Sequence, residues 1–358
     1  MSKTDMNDTT AAITAIRKEL GPRLCIMGHH YQHDTVIRHC DITGDSLELA
    51  RQAAGIAADH IVFCGVYFMG ESAALLAKAG QRVYLPEPDA DCMMALMAQP
   101  RLARTVLETL RAGGRKVIPL AYVNTTLALK AVVGEYGGAV CTSANARTML
   151  RWALQEADSV LFLPDKHLGR NTGRQLGLTP DDWHILRCNG RGLIEPEKQP
   201  LDRPLLLWPG CCAIHAKLKT GDVQAMRSAW PGCRVVAHPE CHPDLIELCD
   251  GSGSTSFLIG EAARIAQESP GSTLIVGTEE NLVQRLAQRH AAACHILPLG
   301  HNAVCPHMAK VTEAKLLDTL SSIVSGQFAP GTGPVQLEEA HCPPARQSLL
   351  RMLDICGR

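Results

Sequence analysis

Six short apolar runs in this chain each end in a small cluster of reactive side chains, and that recurrence restricts the fold more than any other feature. CIMGHHY (25–31), VIPLAYVNTT (117–126), AVCTSANAR (139–147), LLLWPGCCAIH (205–215), RVVAHPEC (234–241) and LIVGTEEN (274–281) share the pattern. Short apolar runs rich in β-branched residues read as strands buried on both faces, the form strands take in a parallel sheet. In open parallel α/β sheets ligands gather outside the carboxyl ends of the strands, so polar residues placed there converge on one site. The pattern is that of an enzyme.

The Ala- and Leu-rich segments between strands predict helices over 45–58, 71–79, 100–112, 144–156, 212–219, 259–268, 280–290 and 312–325. Strands are expected in three groups: 24–30, 60–66 and 82–86; 116–123, 139–143 and 159–164; 204–208, 233–238, 273–277 and 295–299. The alternation predicts three similar α/β units with mainly parallel sheets, over 20–105, 106–205 and 206–325. Residues 166–203, rich in Gly, Pro and polar side chains, read as a long loop or linker. Residues 326–358 form a C-terminal extension that ends in a short amphipathic helix, RQSLLRMLDICGR.

With 358 residues, 46% hydrophobic and 20% charged, the chain can bury a sizeable core. A net charge of -1 with no basic cluster gives a phosphate backbone no footing, so a small-molecule substrate is expected and nucleic acid is not. No apolar stretch reaches the ~20 residues that span a bilayer, and the N-terminus lacks a secretory pattern. A cytoplasmic protein with no membrane partner is expected. Fifteen cysteines then read mostly as thiols, with a few available for metal, because disulfides are rare in a reducing compartment.

No CxxC pair is present, so metal binding has to come from residues far apart in the chain. Cys25, Cys64, Cys141 and Cys233 lie in or beside strand-like runs and read as small buried hydrophobes. Cys92, Cys212 and Cys305 each follow an apolar run and a Pro or Gly turn, one per unit, where three thiolates could meet at a shared centre; spacing alone leaves this open. GSGSTS lacks the third glycine of a dinucleotide fingerprint and reads as a turn, so no dinucleotide cofactor is inferred. His30 and His33 read as structural, Trp208 as packing, Glu71, Glu279 and Glu280 as helix N-terminal carboxylates, and Asp89 and Asp91 as turn residues.

Taken in order from about residue 24 to 323, the blocks MGHHYQ with ITGDSLELAR, IVFCGVYFMGESAALL, YLPEPDADC, YVNTTLALK, CTSANA, LFLPDKHLG, WPGCCAIH, AHPEC, GSGSTS, IVGTEENLVQRL and CPHM resemble quinolinate synthase, an iron-sulfur family of NAD biosynthesis. The resemblance implies three α/β/α units in a pseudo-threefold triangle around a central active site. It also implies a [4Fe-4S] cluster held by Cys92, Cys212 and Cys305, with one iron open as a Lewis acid. Cys211 stands where the family usually has another residue, and alignment on Trp208, Gly210 and His215 selects Cys212.

The implied reaction condenses iminoaspartate with dihydroxyacetone phosphate to give quinolinate, phosphate and water. A transient partner supplying iminoaspartate, an L-aspartate oxidase or dehydrogenase, goes with it. His29 and Tyr31 match the family's catalytic His and Tyr, with Tyr31 assigned to proton transfer during triose isomerisation. Glu240 is the implied general base, with His238 beside it to bind substrate. Ser46, Tyr122, Asn124, Ser143, His215, Ser254 and Thr255 match positions that contact phosphate or carboxylate groups.

The sequence departs from the family pattern in three places: HHY for His-Tyr-Tyr, a longer and more glycine-rich GEYGGAV whose effect on a loop over the site is left open, and an extra tail after about 326. The competing functions are another iron-sulfur dehydratase, a regulatory iron-sulfur sensor, and a zinc hydrolase using His238 and Glu240 as ligands.

Overall fold

The computed structural model of the chain describes residues 3–53, 55–187 and 199–357. In chain order, the first elements are α1 (Lys3–Leu20), β1 (Leu24–His29), α2 (Asp34–Ile37), β2 (Ile42–Gly44), α3 (Ser46–Ala53), β3 (His60–Cys64), α4 (Tyr67–Leu76) and β4 (Arg82–Tyr84). There follow α5 (Met93–Met97), α6 (Pro100–Arg111), β5 (Val117–Tyr122), α7 (Leu127–Glu135), β6 (Ala139–Cys141), α8 (Ala146–Glu156), β7 (Ser159–Leu163), α9 (Lys166–Gln175), β8 (Trp183–Ile185) and β9 (Leu205–Leu207). The rest are α10 (Thr220–Ala229), β10 (Arg234–Ala237), α11 (Pro243–Glu247), β11 (Gly251–Ser252), α12 (Thr255–Glu268), β12 (Thr273–Gly277), α13 (Glu280–Arg289), β13 (His295–Pro298), α14 (Glu313–Ser325) and α15 (Cys342–Gly357).

The strands form three sheets, ordered β2-β1-β3-β4, β6-β5-β7-β9-β8 and β11-β10-β12-β13. Every pairing is parallel. All six residues of β1 and all six of β5 are buried, which is why these runs carry no polar alternation. The expectation of an α/β protein with three parallel sheets is met.

The chain divides into two compact units. The first joins Met1–Cys92 to Val304–Leu337 and contains the first sheet with α1 to α4 and α14. Within it, Glu313 of α14 accepts from Thr10 Oγ1 at 2.8 Å and lies 2.6 Å from His39 Nε2, fastening α1 and the end of α2 to α14. The Val335 N–H donates to Val83 O at 2.8 Å, covering the edge of β4.

The second unit joins Met93–Ala303 to Glu338–Arg358 and contains the other two sheets and α15. Its largest core surrounds β5, β7 and β9, where Val117, Leu161 and Leu206 pack with Val106 and Leu107 of α6 and Leu129 and Val133 of α7. Pro100 starts α6 at a position with no partner for an N–H, and Thr126 caps α7 by accepting from the Leu129 N–H.

Several expectations are corrected. The strand at 204–208 belongs to the second sheet, because β9 pairs with β7 and β8. The expected loop at 166–203 contains α9 and β8; its residues 188–198 lie outside the described residues. Only a single 3-10 turn, His215–Lys217, stands where a helix over 212–219 was expected. Glu71 falls in the middle of α4 rather than in its first turn, because that helix begins at Tyr67.

The glycine-rich 134–138 segment does not form a loop over the site. It turns α7 into the start of β6, with Gly137 at φ +72°. A Cβ at Gly134 would collide with the Pro344 carbonyl, so its glycine is what lets α15 lie against α7. The tail's α15 is a packed part of this unit, with Ala345, Leu349 and Met352 fully buried.

Candidate active site

In the first unit, His29 closes β1 and is buried. Its Nδ1 accepts the Tyr31 N–H at 3.2 Å, which in the neutral ring leaves the proton on Nε2, and the two rings meet edge to face at 4.7 Å. Ser46 opens α3 inside a reciprocal cap: Asp45 N donates to Glu48 Oε2 at 2.9 Å and Glu48 N to Asp45 Oδ1 at 3.0 Å. Cys92 follows β4, its N–H held by Asp91 Oδ1 at 2.8 Å. Cys305 precedes a 3-10 turn at Met308–Lys310, and its carbonyl accepts the Ala309 N–H at 3.0 Å. Lys310 Nζ donates to Asp89 O at 2.8 Å and Lys315 pairs with Glu87. The stretch after β4 that leads to Cys92 is therefore tied to the segment that follows Cys305.

The second unit gathers the densest set. His215, His238 and Glu240 are nearly fully buried at the ends of β9 and β10. Glu240 Oε2 lies 2.6 Å from His215 Nδ1 and 3.8 Å from His238 Nδ1, and the two imidazoles stack at 4.6 Å with 19° between planes. Tyr122, at the end of β5, donates its hydroxyl to Glu240. Burial would raise the Glu240 carboxyl, but the two imidazoles and the bonds from His215 and Tyr122 outweigh it and hold the group well below the usual carboxylate range. Burial pushes His238 down to about 3, so its ring is neutral. The far nitrogen of His215 meets Thr278 Oγ1 at 3.1 Å.

Cys212 Sγ, a His215 nitrogen and a Glu240 oxygen all lie within 4.8 Å of one another, a set able to hold a metal ion. The backbone fixes this thiol: the Cys212 N–H donates to Asp165 Oδ2 at 3.2 Å, and Lys166 N donates to Gly210 O at 2.9 Å. Asp165 also caps α9, its Oδ1 accepting the His167 and Leu168 N–H groups at 2.7 and 3.0 Å. Burial and the nearby Glu240 raise the Asp165 carboxyl. The turn bearing Glu240 is clamped from α9, where Asn171 Nδ2 donates to Pro239 O at 2.8 Å and Cys241 O at 2.9 Å.

The remaining expected residues also sit at strand and helix ends. Asn124 follows β5 and its Oδ1 is buried without a hydrogen-bond partner. Ser143 follows β6, and Ser254 caps α12, whose first residue is Thr255. The structure thus brings Tyr122, Cys212, His215, His238 and Glu240 together in one unit, and His29 with Tyr31 in the other.

Cys92, Cys212 and Cys305 are half-buried, whereas Cys25, Cys64 and Cys141 are buried; burial raises Cys25, to about 11, and Cys141, and a hydrogen bond with Cys40 together with burial raises Cys64. Among the residues read as structural, Trp208 is buried with its Nε1 donating to Met97 O at 2.9 Å, and His33 and Glu279 serve as caps.

Asp165 and Asn171 received no role from the sequence. The signal for Asp165 was an acid directly after an apolar run and a proline, a helix-cap position at a strand tip. Asn171 left none.

A family model described as quinolinate synthetase A protein matches residues 11–354. The chain is 39% identical over 354 residues to a protein of Lysinibacillus sphaericus named quinolinate synthase, covering 97% of this chain and 94% of the relative. Relatives of the same name in Bacillus subtilis, 39% identical over 352 residues, and Streptomyces coelicolor, 39% over 356, cover 97% of this chain and 93% and 88% of their own lengths. The match to residue 354 takes in α15, so the tail is family sequence and not an addition.

Proposed function

The chain is an enzyme belonging to the quinolinate synthetase A family, and from that premise we propose that it condenses iminoaspartate with dihydroxyacetone phosphate to quinolinate, releasing one phosphate and two waters. The observation that carries this reading is the Glu240 carboxylate, held ionised in a buried site by His215 and Tyr122 beside the Cys212 thiol. An ionised carboxylate kept from water is suited to removing the proton next to a carbonyl or imine.

Neutral His238 accepts the Glu240 N–H on Nδ1 at 3.4 Å and so offers its Nε2 proton to a substrate carboxylate. His29 offers its Nε2 proton in the same way, and Tyr31 shuttles a proton during triose isomerisation. Ser46, Asn124, Ser143, Ser254 and Thr255 hold the carboxylate and phosphate groups through hydroxyl and amide donors, and Tyr122 and His215, bonded to Glu240, contact substrate beside that carboxylate. The substrates' negative charges then need no basic patch.

The cofactor in this reading is a [4Fe-4S] cluster on Cys92, Cys212 and Cys305. The donor chemistry suits such a group, since all three are half-buried thiols. Three thiolates leave one iron free to act as a Lewis acid on a substrate hydroxyl or carbonyl. Among the described residues no helix is long and apolar enough to cross a membrane. A cytoplasmic setting and a transient L-aspartate oxidase or dehydrogenase partner complete the proposal.

The test is anaerobic reconstitution with iron and sulfide, followed by a quinolinate assay with both substrates. About four iron and four sulfide per chain with quinolinate formed are expected. Stoichiometric zinc without sulfide would point to the hydrolase reading, and a full cluster without quinolinate to another dehydratase.

A further inference from the structure

Pro239, the residue before Glu240, also lines a separate cavity of about 240 Å³ formed by α8, α9, α12 and the turns that precede α8 and α12. Its polar lining comes from Ser143, Arg147, Thr172, Gln175, Ser252 and Ser254. Arg147, an exposed residue of α8, is its only ionisable residue. Ser252 Oγ is buried and has no hydrogen-bond partner. Thr172 and Ser254 are themselves buried, with 2% and 6% of their surface exposed.

A hollow with one cation, several hydroxyls and no acid repels cations and favours a compact oxyanion rich in acceptors. Leu168 and Phe257 supply its apolar wall, which leaves room for a short carbon chain behind the anionic group. We propose that this cavity is a phosphoryl-binding antechamber to the Glu240 site, in which Arg147 selects the phosphate-bearing substrate and passes it to Ser143 and Ser254. The assignment rests on the reading above that Ser143 and Ser254 contact substrate; Arg147 and the cavity itself have no part in that reading. Arg147 is a specificity residue here, since a dianionic phosphomonoester gains more from one guanidinium than a neutral triose does.

Two measurements test it. The first needs no turnover: binding of inorganic phosphate to the purified chain is followed by calorimetry for the wild type, Arg147→Gln and Arg147→Lys. Arg147→Gln should weaken phosphate binding about tenfold, with most of the loss restored by Arg147→Lys and the difference shrinking at high salt. The second uses the reconstituted enzyme, where Arg147→Gln should raise KM for dihydroxyacetone phosphate by a similar factor and leave KM for iminoaspartate nearly unchanged. Unchanged phosphate affinity in Arg147→Gln would overturn the proposal, and so would equal rises in both KM values. A wild type that binds phosphate through Arg147 but forms no quinolinate would defeat the proposed function and leave the cavity's assignment standing.

Discussion

Asn171 is predicted to hold the catalytic turn in place, and replacing it by Asp tests this with almost no change of shape. Its amide nitrogen donates to two buried carbonyls, Pro239 O and Cys241 O, on either side of Glu240. In Asn171→Asp the new side chain would offer an oxygen to both carbonyls, so each acceptor loses its donor inside the protein. A buried acceptor left unsatisfied costs about 1–3 kcal/mol, giving about 2–6 kcal/mol for the pair. If the new carboxylate ionised, it would add a second negative charge to the region of Glu240, where the Asp165 charge is already disfavoured. Asn171→Ala should lose somewhat less, because water can enter the space vacated.

The loss is read from urea unfolding followed by circular dichroism, and the catalytic effect from initial rates of quinolinate formation. A displacement of the Glu240 turn by even a fraction of an ångström should lower kcat roughly tenfold or more. A destabilisation by Asn171→Asp below about 1 kcal/mol would refute the energetic reasoning. Full destabilisation with kcat unchanged would show that the clamp from α9 does not position the carboxylate.

Three further predictions concern neighbouring groups. Cys212→Ser should abolish the cluster's visible absorbance and bound sulfide while Cys211→Ser retains both, since it is Cys212 that lies beside His215 and Glu240; the reverse pattern in iron and sulfide analysis would overturn the alignment. Glu240→Gln should keep iron and sulfide content but lower kcat about 100-fold or more, and loss of the cluster as well would mark Glu240 as structural. His167 is held down to about 4 by burial and by the His242, Lys166, Arg170 and Lys219 charges, so the unfolded chain takes up a proton at higher pH than the folded one. Its contribution should therefore cost about 1–3 kcal/mol of stability as pH falls from about 6.5 to about 4, and His167→Gln should flatten that slope in pH-dependent unfolding.

The strands that carry the site were legible because a parallel strand buried on both faces is a continuous apolar run. β1, β3, β5, β7, β10 and β12 are of this kind. β2 and β11, three and two residues long, and the less apolar β8 owe their pairing to neighbours, which composition cannot reveal. β9 groups with the third sheet in the sequence because it leads into Cys212 along the chain, while its hydrogen bonds run to β7 and β8 of the second.

Helix α9, KHLGRNTGRQ, has two glycines and few apolar residues, and it reads as loop for that reason. Its glycines are the packing face: a Cβ at Gly169 would collide with the Leu207 side chain, and one at Gly173 would crowd Leu205. Because the helix lies that close to β9, its Asp165 cap reaches the Cys212 N–H and its Asn171 reaches the Glu240 turn. The residues that sequence reasoning missed belong to this one element, and they were missed for the same reason the element was.

Asp165 and Glu240 present the same functional group in one buried neighbourhood, yet their surroundings push them in opposite directions. Burial acts on both. Glu240 has the His215 ring and a phenol bonded to it to offset burial, and its charge is favoured. Asp165 has only backbone N–H donors, and these do not outweigh burial and the Glu240 charge. An acid whose charge is disfavoured tends to keep its proton and serves as a bracket, since each of its oxygens is already engaged by the α9 cap or by Cys212. An acid whose charge is favoured is the weaker base of the two, but it stands ionised beside a thiol and two rings, with its proton-accepting form already populated. Such a separation of two carboxylates by environment is the pattern that the proposed acid/base role of Glu240 calls for. It also explains why one variant, Glu240→Gln, should silence turnover, while disturbance of Asp165 should be felt first in the geometry of Cys212.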